Sequence, residues 1–327
     1  MKKRLIFRVD ANTTIGRGHV SRCMAIASML KDDITILFVS LKSNKAYVAN
    51  LLGDFKSQFI EKEKDLIQII QPEDLLWIDG YHFSEDWKKE MQAHVKKLIE
   101  TNDIPYTPKY VDILFNQTPG LTKEQFGGDA SSAALYLGLD YVLLRQQFLT
   151  IARTNKPILN GNGVFICFGG ADTYNLGEKF VSELVRLKFK DPIYWVINSK
   201  NVDSSIYNEN VSILSNLSEK EMIHYMTIAK VLLIPSSVLS FEAMALRKPF
   251  YTGYFVDNQE LIAQGLKEEG LAEGYRNLEI NEEFEKAFEE LLMFYSDEAK
   301  QKELVREQQK SIDGNSPSRI ITIINSL

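Results

Sequence analysis

Residues 4–30 read RLIFRVDANTTIGRGHVSRCMAIASML. Leu5–Val9 is a short apolar run with a charged end. A loop holding two glycines, Thr13–Gly18, follows it. From His19 to Leu30 the apolar residues Val20, Cys23, Met24, Ala27 and Leu30 fall at helical spacing. Strand, glycine loop and helix in that order open an α/β fold of the Rossmann kind. Outward from this stretch the alternation continues. Strands are predicted at Ile34–Val39, Leu75–Ile78, Val111–Asn116 and Tyr141–Leu144. A helix is predicted over Glu85–Glu100, with Trp87, Met91, Val95 and Leu98 on one face. Such alternation predicts a parallel sheet covered by helices on both faces.

The pattern restarts after a linker-like stretch at Asn160–Gly163. Val164–Phe168 is a strand, Gly169-Gly170 a turn, and Leu176–Leu187 a helix. Ile193–Asn198, Val211–Leu214 and Val231–Pro235 read as further strands, Ser240–Leu246 as a helix. Glu282–Tyr295 and Glu298–Lys310 are charged amphipathic helices, followed by a last apolar segment at Arg319–Ile324. The expected fold class is therefore α/β: two Rossmann-like, doubly wound domains, residues 1–155 and 156–327, facing each other across a cleft. The final helix is expected to pack back on the first domain.

Composition limits the function. At 327 residues the chain suits two domains, and 45% apolar with 25% charged residues is globular. A net charge of −6 excludes a general nucleic-acid binder, since no basic excess is present to neutralise phosphates. Two distant cysteines and four scattered histidines give neither a disulfide framework nor zinc spacing. No metal and no cofactor are expected. The N-terminal apolar run is broken by Arg8 and Asp10, so it reads as a strand rather than a leader. No apolar run approaches a membrane span. These features predict a cytoplasmic, monomeric protein.

Four places carry chemistry. The first is the loop from Asp10 through Gly16 and Gly18 to His19, at the carboxyl end of the first strand, the edge where α/β sheets bind ligands. Gly16 and Gly18 permit positive φ and a close approach of the backbone. His19 falls at a helix N-terminus, where the dipole favours a neutral imidazole able to accept a proton from water. The same residues suit a plain turn and helix start. The second is Phe168-Gly169-Gly170, whose amides could bind phosphate oxygens or simply form a tight turn. It lacks the full GxGxxG pattern, so a nicotinamide cofactor is not expected. The third is Ser236-Ser237 with Glu242: a diphosphate cradle at a helix start and an acceptor for ribose hydroxyls, or N-caps and a surface acid. The fourth is Asn258-Gln259, whose amides can donate to sugar hydroxyls and phosphate.

Taken together, these places resemble a known family. The segments RVDANTTIGRGHVSRC, IDGYHFSEDW, FNQTPG, GLDYVLLRQQF, FGGADTYN and residues 236–259 are similar, in family order, to the UDP-2,4-diacetamido-2,4,6-trideoxy-β-L-altropyranose hydrolases of pseudaminic acid biosynthesis. That family is related in fold to the lipid II-forming N-acetylglucosaminyltransferase, of GT-B type. The resemblance implies a metal-independent hydrolase that cleaves the anomeric C–O bond of a UDP-sugar, with inversion. It implies that His19 activates water and that Asp10 orients the loop or His19. Asp79 and Tyr81 match the family's Asp-x-Tyr stretch and would line the sugar cleft. Arg145 and Phe148 read as structural, and His82 as ordinary. Two departures are visible: Ser236-Ser237 replaces the Gly-Gly common in GT-B relatives, and no Asp-Asp pair is evident around Glu100–Asp103.

Two other readings compete. A glycosyltransferase of the same fold would use His19 on an acceptor hydroxyl. A catalytically silent protein would bind the nucleotide-sugar without turning it over.

Overall fold

The computed structural model describes residues 3–12, 15–169, 172, 174–197, 207 and 209–327. They form two compact units: residues up to 146 together with 315–327, and residues 147–314.

In the first unit the elements run β1 (Arg4–Val9), α1 (Gly18–Leu30), β2 (Thr35–Leu41), α2 (Lys45–Leu52), β3 (Ser57–Ile60), β4 (Leu75–Asp79), α3 (Glu85–Gln92), β5 (Lys97–Thr101), β6 (Ile113–Asn116) and β7 (Ala134–Leu137). The seven strands form one parallel sheet in the order β3-β2-β1-β4-β5-β6-β7. Period-two alternation along β1 sends Leu5, Phe7 and Val9 to one face and Ile6 to the other. The first set packs with Cys23, Ile26 and Leu30 of α1, the second with Leu76, Ile78 and Met91. Burial on both faces explains why β4 reads as an unbroken apolar run.

The second unit contains all but the first residue of α4 (Gln146–Thr154), then β8 (Val164–Cys167), α5 (Leu176–Arg186), β9 (Ile193–Val196), β10 (Val211–Leu214), α6 (Glu219–Ile228), β11 (Val231–Pro235), α7 (Val238–Ala245), β12 (Phe250–Gly253), α8 (Asp257–Glu268), α9 (Asn281–Ser296) and α10 (Glu298–Ser311). Its five parallel strands follow the order β10-β9-β8-β11-β12. Both sheets are thus wound outward in both directions from their first strand. Each has a switch point where the strand order reverses: between β1 and β4, and between β8 and β11. Ligands of open α/β sheets bind at the carboxyl ends of the two strands flanking that point.

Three details differ from the sequence reading. The run at 85–100 is not one helix. α3 ends at Gln92, and Lys97–Thr101 pairs in parallel with β4 as β5. The apolar spacing ran on past the helix because Leu98 and Ile99 are buried on opposite faces of a central strand. Tyr141–Leu144 forms no strand; the sheet is completed by β7 instead.

The third concerns the boundary. Residues 147–155 lie in the second unit. Arg247 holds them there, donating to Ala152 O at 3.3 Å and Asn155 Oδ1 at 3.1 Å. The last helix, α11 (Ser316–Ser326), belongs to the first unit, where Ile320 and Ile324 join the cluster around α1. Ser316 Oγ donates to Val142 O at 2.7 Å and pins its start.

Candidate active site

The loop after β1 delivers His19. Gly16 has φ +79°, the left-handed region, and its amide donates to Asn12 O at 2.9 Å. Asn12 Oδ1 accepts from Ile15 N at 2.7 Å and closes the same turn. Gly18 is different from the expectation: it opens α1 without a positive φ, and a Cβ there would meet nothing within 4 Å. Only Gly16 is required by the backbone. His19 follows as the second residue of α1.

At the switch point His19 meets a buried polar network. Its Nδ1 lies 2.6 Å from Asp79 Oδ1, at the end of β4. Arg22, one turn further along α1, grips the same carboxylate twice: Nε to Oδ2 at 2.5 Å and Nη2 to Oδ1 at 2.7 Å. Arg22 Nη1 reaches both oxygens of Asp103, at 2.8 and 2.7 Å, just beyond β5. Tyr81 Oη donates to Asp103 Oδ2 at 2.7 Å, and its ring stands edge-on to His19 at 5.0 Å. Arg22, Asp79 and Asp103 are all buried.

The geometry assigns the tautomer. A carboxylate only accepts and a guanidinium only donates. Nδ1 sits 2.6 Å from the first and 3.2 Å from the second, so it carries the proton toward Asp79. Nε2 is then the lone-pair nitrogen, and among the described residues it has no hydrogen-bond partner. Burial alone would raise the Asp79 pKa, but the charge of Arg22 and the hydrogen bonds from Arg22 and His19 hold it below the usual carboxylate value. The neighbours respond in the opposite sense. Burial and the charge of Asp103 push the Tyr81 hydroxyl up, and burial with Asp79 pushes the Cys23 thiol up. Neither is an anion at neutral pH. An oriented imidazole backed by a carboxylate is an arrangement that suits a general base.

Asp79 therefore does not line a cleft. It is 1% exposed and holds His19 from beneath. Asp10 does not orient His19 either: its Oδ1 accepts from Leu41 N at 2.8 Å, and its Oδ2 lies 2.6 Å from buried Arg8. Arg8 also pairs with Glu63, whose carboxyl is held down to about 2 against the effect of its own burial by His82 and Arg8. His82 Nε2 is 3.5 Å from Glu63, so it is part of this second cluster. Among the described residues, Asp10, Glu63 and His82 are the group whose ligand atoms lie close enough to share a metal ion. The guanidinium of Arg8 already sits between the two acids as their counter-charge.

In the second unit the expected residues fall into two sets. Phe168 is core, its ring stacked on Phe180 at 5.8 Å with an interplanar angle of 8°. Ser236 is fully buried; its amide donates to Gly253 O and its hydroxyl pairs with Thr252, which removes it from phosphate binding. Gln259 Oε1 accepts from Phe255 N at 3.2 Å and ties the loop before α8. The first amides of α5 are also taken, by Asp172, which accepts from Leu176 N and Gly177 N.

The other set lies at or after the carboxyl ends of β8, β11 and β12, with Glu242 itself 3% exposed. Gly169 has φ +87° and open space where a Cβ would stand. Ser237 caps α7, accepting from Leu239 N. Asn258 is partly exposed in the first turn of α8. Glu242 lies near enough to Cys167, the last residue of β8, that its charge adds to the burial that pushes that thiol up to about 12. Gly170 lies outside the described residues.

Arg22 and Asp103 escaped the sequence reading. His19 and Arg22 are three apart on a helix, hence on one face. Acids at or just past the carboxyl ends of β4 and β5 were a second available signal.

No protein-family model matches the chain. The chain is 27% identical, over 288 aligned residues, to the UDP-2,4-diacetamido-2,4,6-trideoxy-β-L-altropyranose hydrolase of Campylobacter jejuni; the alignment covers 84% of this chain and 99% of that enzyme. In fold it is similar to MurG of Acinetobacter baumannii, with a TM-score of 0.65, 9% identity and coverage of 99% and 100% of the two chains. It is equally similar to LpCGTa in its complex with UDP, with a TM-score of 0.65, 9% identity and 99% of each chain covered. At 9% identity these structures speak for the fold alone. Among the described residues, no helix is long and apolar enough to cross a membrane. By sequence, then, the chain is similar to the altropyranose hydrolase over nearly that enzyme's whole length, and by fold it is a pair of Rossmann-like units of the GT-B type.

Proposed function

We propose that this chain is a cytoplasmic, monomeric hydrolase that cleaves the anomeric C–O bond of a UDP-2,4-diacetamido-2,4,6-trideoxyhexose, with inversion, and uses no metal. The observation that carries this reading is the His19–Asp79 pair at the switch point of the first sheet. A water oxygen attacks the anomeric carbon on the face opposite the diphosphate. His19 Nε2 takes the water proton as the new C–O bond forms. The bond to the phosphate oxygen breaks, and its electron pair leaves with UDP. The Asp79 carboxylate offsets the positive charge that develops on the imidazole. The nucleotide is assigned to the second unit: Gly169 and Ser237 near the diphosphate, Glu242 at the ribose hydroxyls, Asn258 beside them. The sugar identity rests on the likeness to the Campylobacter enzyme.

A second reading, transfer of the sugar to an acceptor hydroxyl, uses the same base, with an alcohol oxygen in place of water giving its proton to His19 Nε2. The test is to incubate purified protein with the UDP-diacetamido sugar and follow it by ¹H and ³¹P NMR. UDP and one free anomer are expected without added acceptor. Intact UDP binding with no release would refute the hydrolase and leave the transferase or a silent binding protein.

A further inference from the structure

We infer that Arg22 is the positioning residue that sets the tautomer of His19, by clamping Asp79 from one side while Asp103 and Tyr81 clamp Arg22 from the other. This rests on His19 being the general base. The case begins with the number of acceptor sites on one carboxylate. Asp79 Oδ1 accepts from both His19 Nδ1 and Arg22 Nη2, at 2.6 and 2.7 Å, and Oδ2 accepts from Arg22 Nε at 2.5 Å. The two-point grip fixes the carboxylate plane, so Oδ1 faces the ring nitrogen along a single direction.

Without Arg22 the carboxylate could turn, and among the described residues a buried Asp79 would have only His19 and the weak Cys23 thiol donor, 3.6 Å away, to satisfy it. The guanidinium is anchored in turn by Asp103 and carries the balancing charge between two buried acids. The groups facing His19 are thus Asp79 from β4, Arg22 from its own helix and Tyr81 from the loop after β4. Asp103 acts through Arg22 and Tyr81. With Arg22 present the pair Asp79–Arg22 is close to neutral, so the imidazole faces an oriented acceptor rather than an unbalanced negative charge. Removing Arg22 would strengthen the pull on a second ring proton.

The test uses full-length protein labelled with ¹⁵N-histidine, with His19→Gln to assign the His19 signals. In the wild type, long-range ¹H–¹⁵N spectra should show the proton on Nδ1 and a bare Nε2. In Arg22→Met the spectra should show a mixture of tautomers. The kcat/KM profile should lose roughly 10- to 100-fold, the scale typical of groups that orient a catalytic ligand, with its acid limb moved to higher pH. Arg22→Lys keeps the charge but not the two-point grip, so it should restore the acid limb and not the tautomer. If Arg22→Met does not fold, Arg22→Met/Asp103→Leu removes one charge of each sign and should give the same tautomer mixture. A pure Nδ1–H tautomer in a folded Arg22 variant would overturn the inference. The spectra need no turnover: a wild type with the predicted tautomer and no hydrolysis would refute the proposed function while leaving the role of Arg22 standing.

Discussion

Replacing Asp79 by asparagine separates the charge of the site from its shape. With its carbonyl in the Oδ1 position, the asparagine keeps two contacts, from His19 Nδ1 and Arg22 Nη2, and turns its amide against Arg22 Nε. The opposite orientation would set the amide against both His19 and Arg22 Nη2. The first is therefore preferred, and His19 keeps its tautomer while losing its counter-charge. Two unit charges about 4 Å apart at an effective dielectric of about 20 interact by about 4 kcal/mol. That energy stabilises the imidazolium formed as water is deprotonated, so its loss corresponds to roughly a thousandfold in kcat. The amide facing Arg22 Nε leaves a buried donor unsatisfied, costing about 1–3 kcal/mol of stability. Steady-state UDP release, thermal unfolding by circular dichroism and UDP binding by calorimetry read the three quantities separately. UDP affinity should be unchanged. A folded Asp79→Asn protein that turns over within tenfold of the wild type would refute the counter-charge reasoning.

Other outcomes follow from the same structure. His19→Ala should lower kcat by about 10²- to 10⁴-fold with UDP affinity intact, the range for a lost general base; binding and single-turnover assays check it. Gly177→Ala should destabilise the second unit by about 1–3 kcal/mol, because a Cβ there would lie 2.5 Å from Trp195 Nε1 and 2.9 Å from Asp172 Oδ2; chemical unfolding measures it. Lys248 is buried and held down to about 8 by desolvation, below the usual 10.5. A lysine depressed in the folded state binds fewer protons there than when unfolded. Stability relative to Lys248→Met should therefore rise by about 2 kcal/mol between pH 8 and 10. Paired unfolding curves across that range test the sign, and a flat difference would contradict it.

Much of the fold was legible because its signals are local. The strand–glycine loop–helix openings at Leu5 and Val164, and the restart of the pattern between them, need only neighbouring residues. What was missed needs tertiary pairing. β5 was hidden in a helical spacing because Leu98 and Ile99 are buried by strands on either side, β4 and β6, that local sequence does not reveal. His19 was legible from its place at a helix start. Asp79 was named, but its contacts with His19 and Arg22 were not legible, since a strand-end acid looks the same whether it faces solvent or an arginine. Arg22 and Asp103 are 81 residues apart, and only the strand order β1-β4-β5 brings them together. In the second unit, small residues suggested phosphate binding. Ser236 and Phe168 instead serve the core, a distinction that depends on Thr252 and Phe180.

The most direct test of the central claim is hydrolysis of the UDP-diacetamido sugar in ¹⁸O-labelled water, with the released UDP examined by mass spectrometry and ³¹P NMR. Attack by a His19-activated water on the anomeric carbon predicts UDP free of ¹⁸O, released at the same rate with or without an added alcohol, and release lost in His19→Ala. Label in the diphosphate would place the cleavage at phosphorus. Release only in the presence of an acceptor alcohol would make water the wrong nucleophile. Either result would contradict the account.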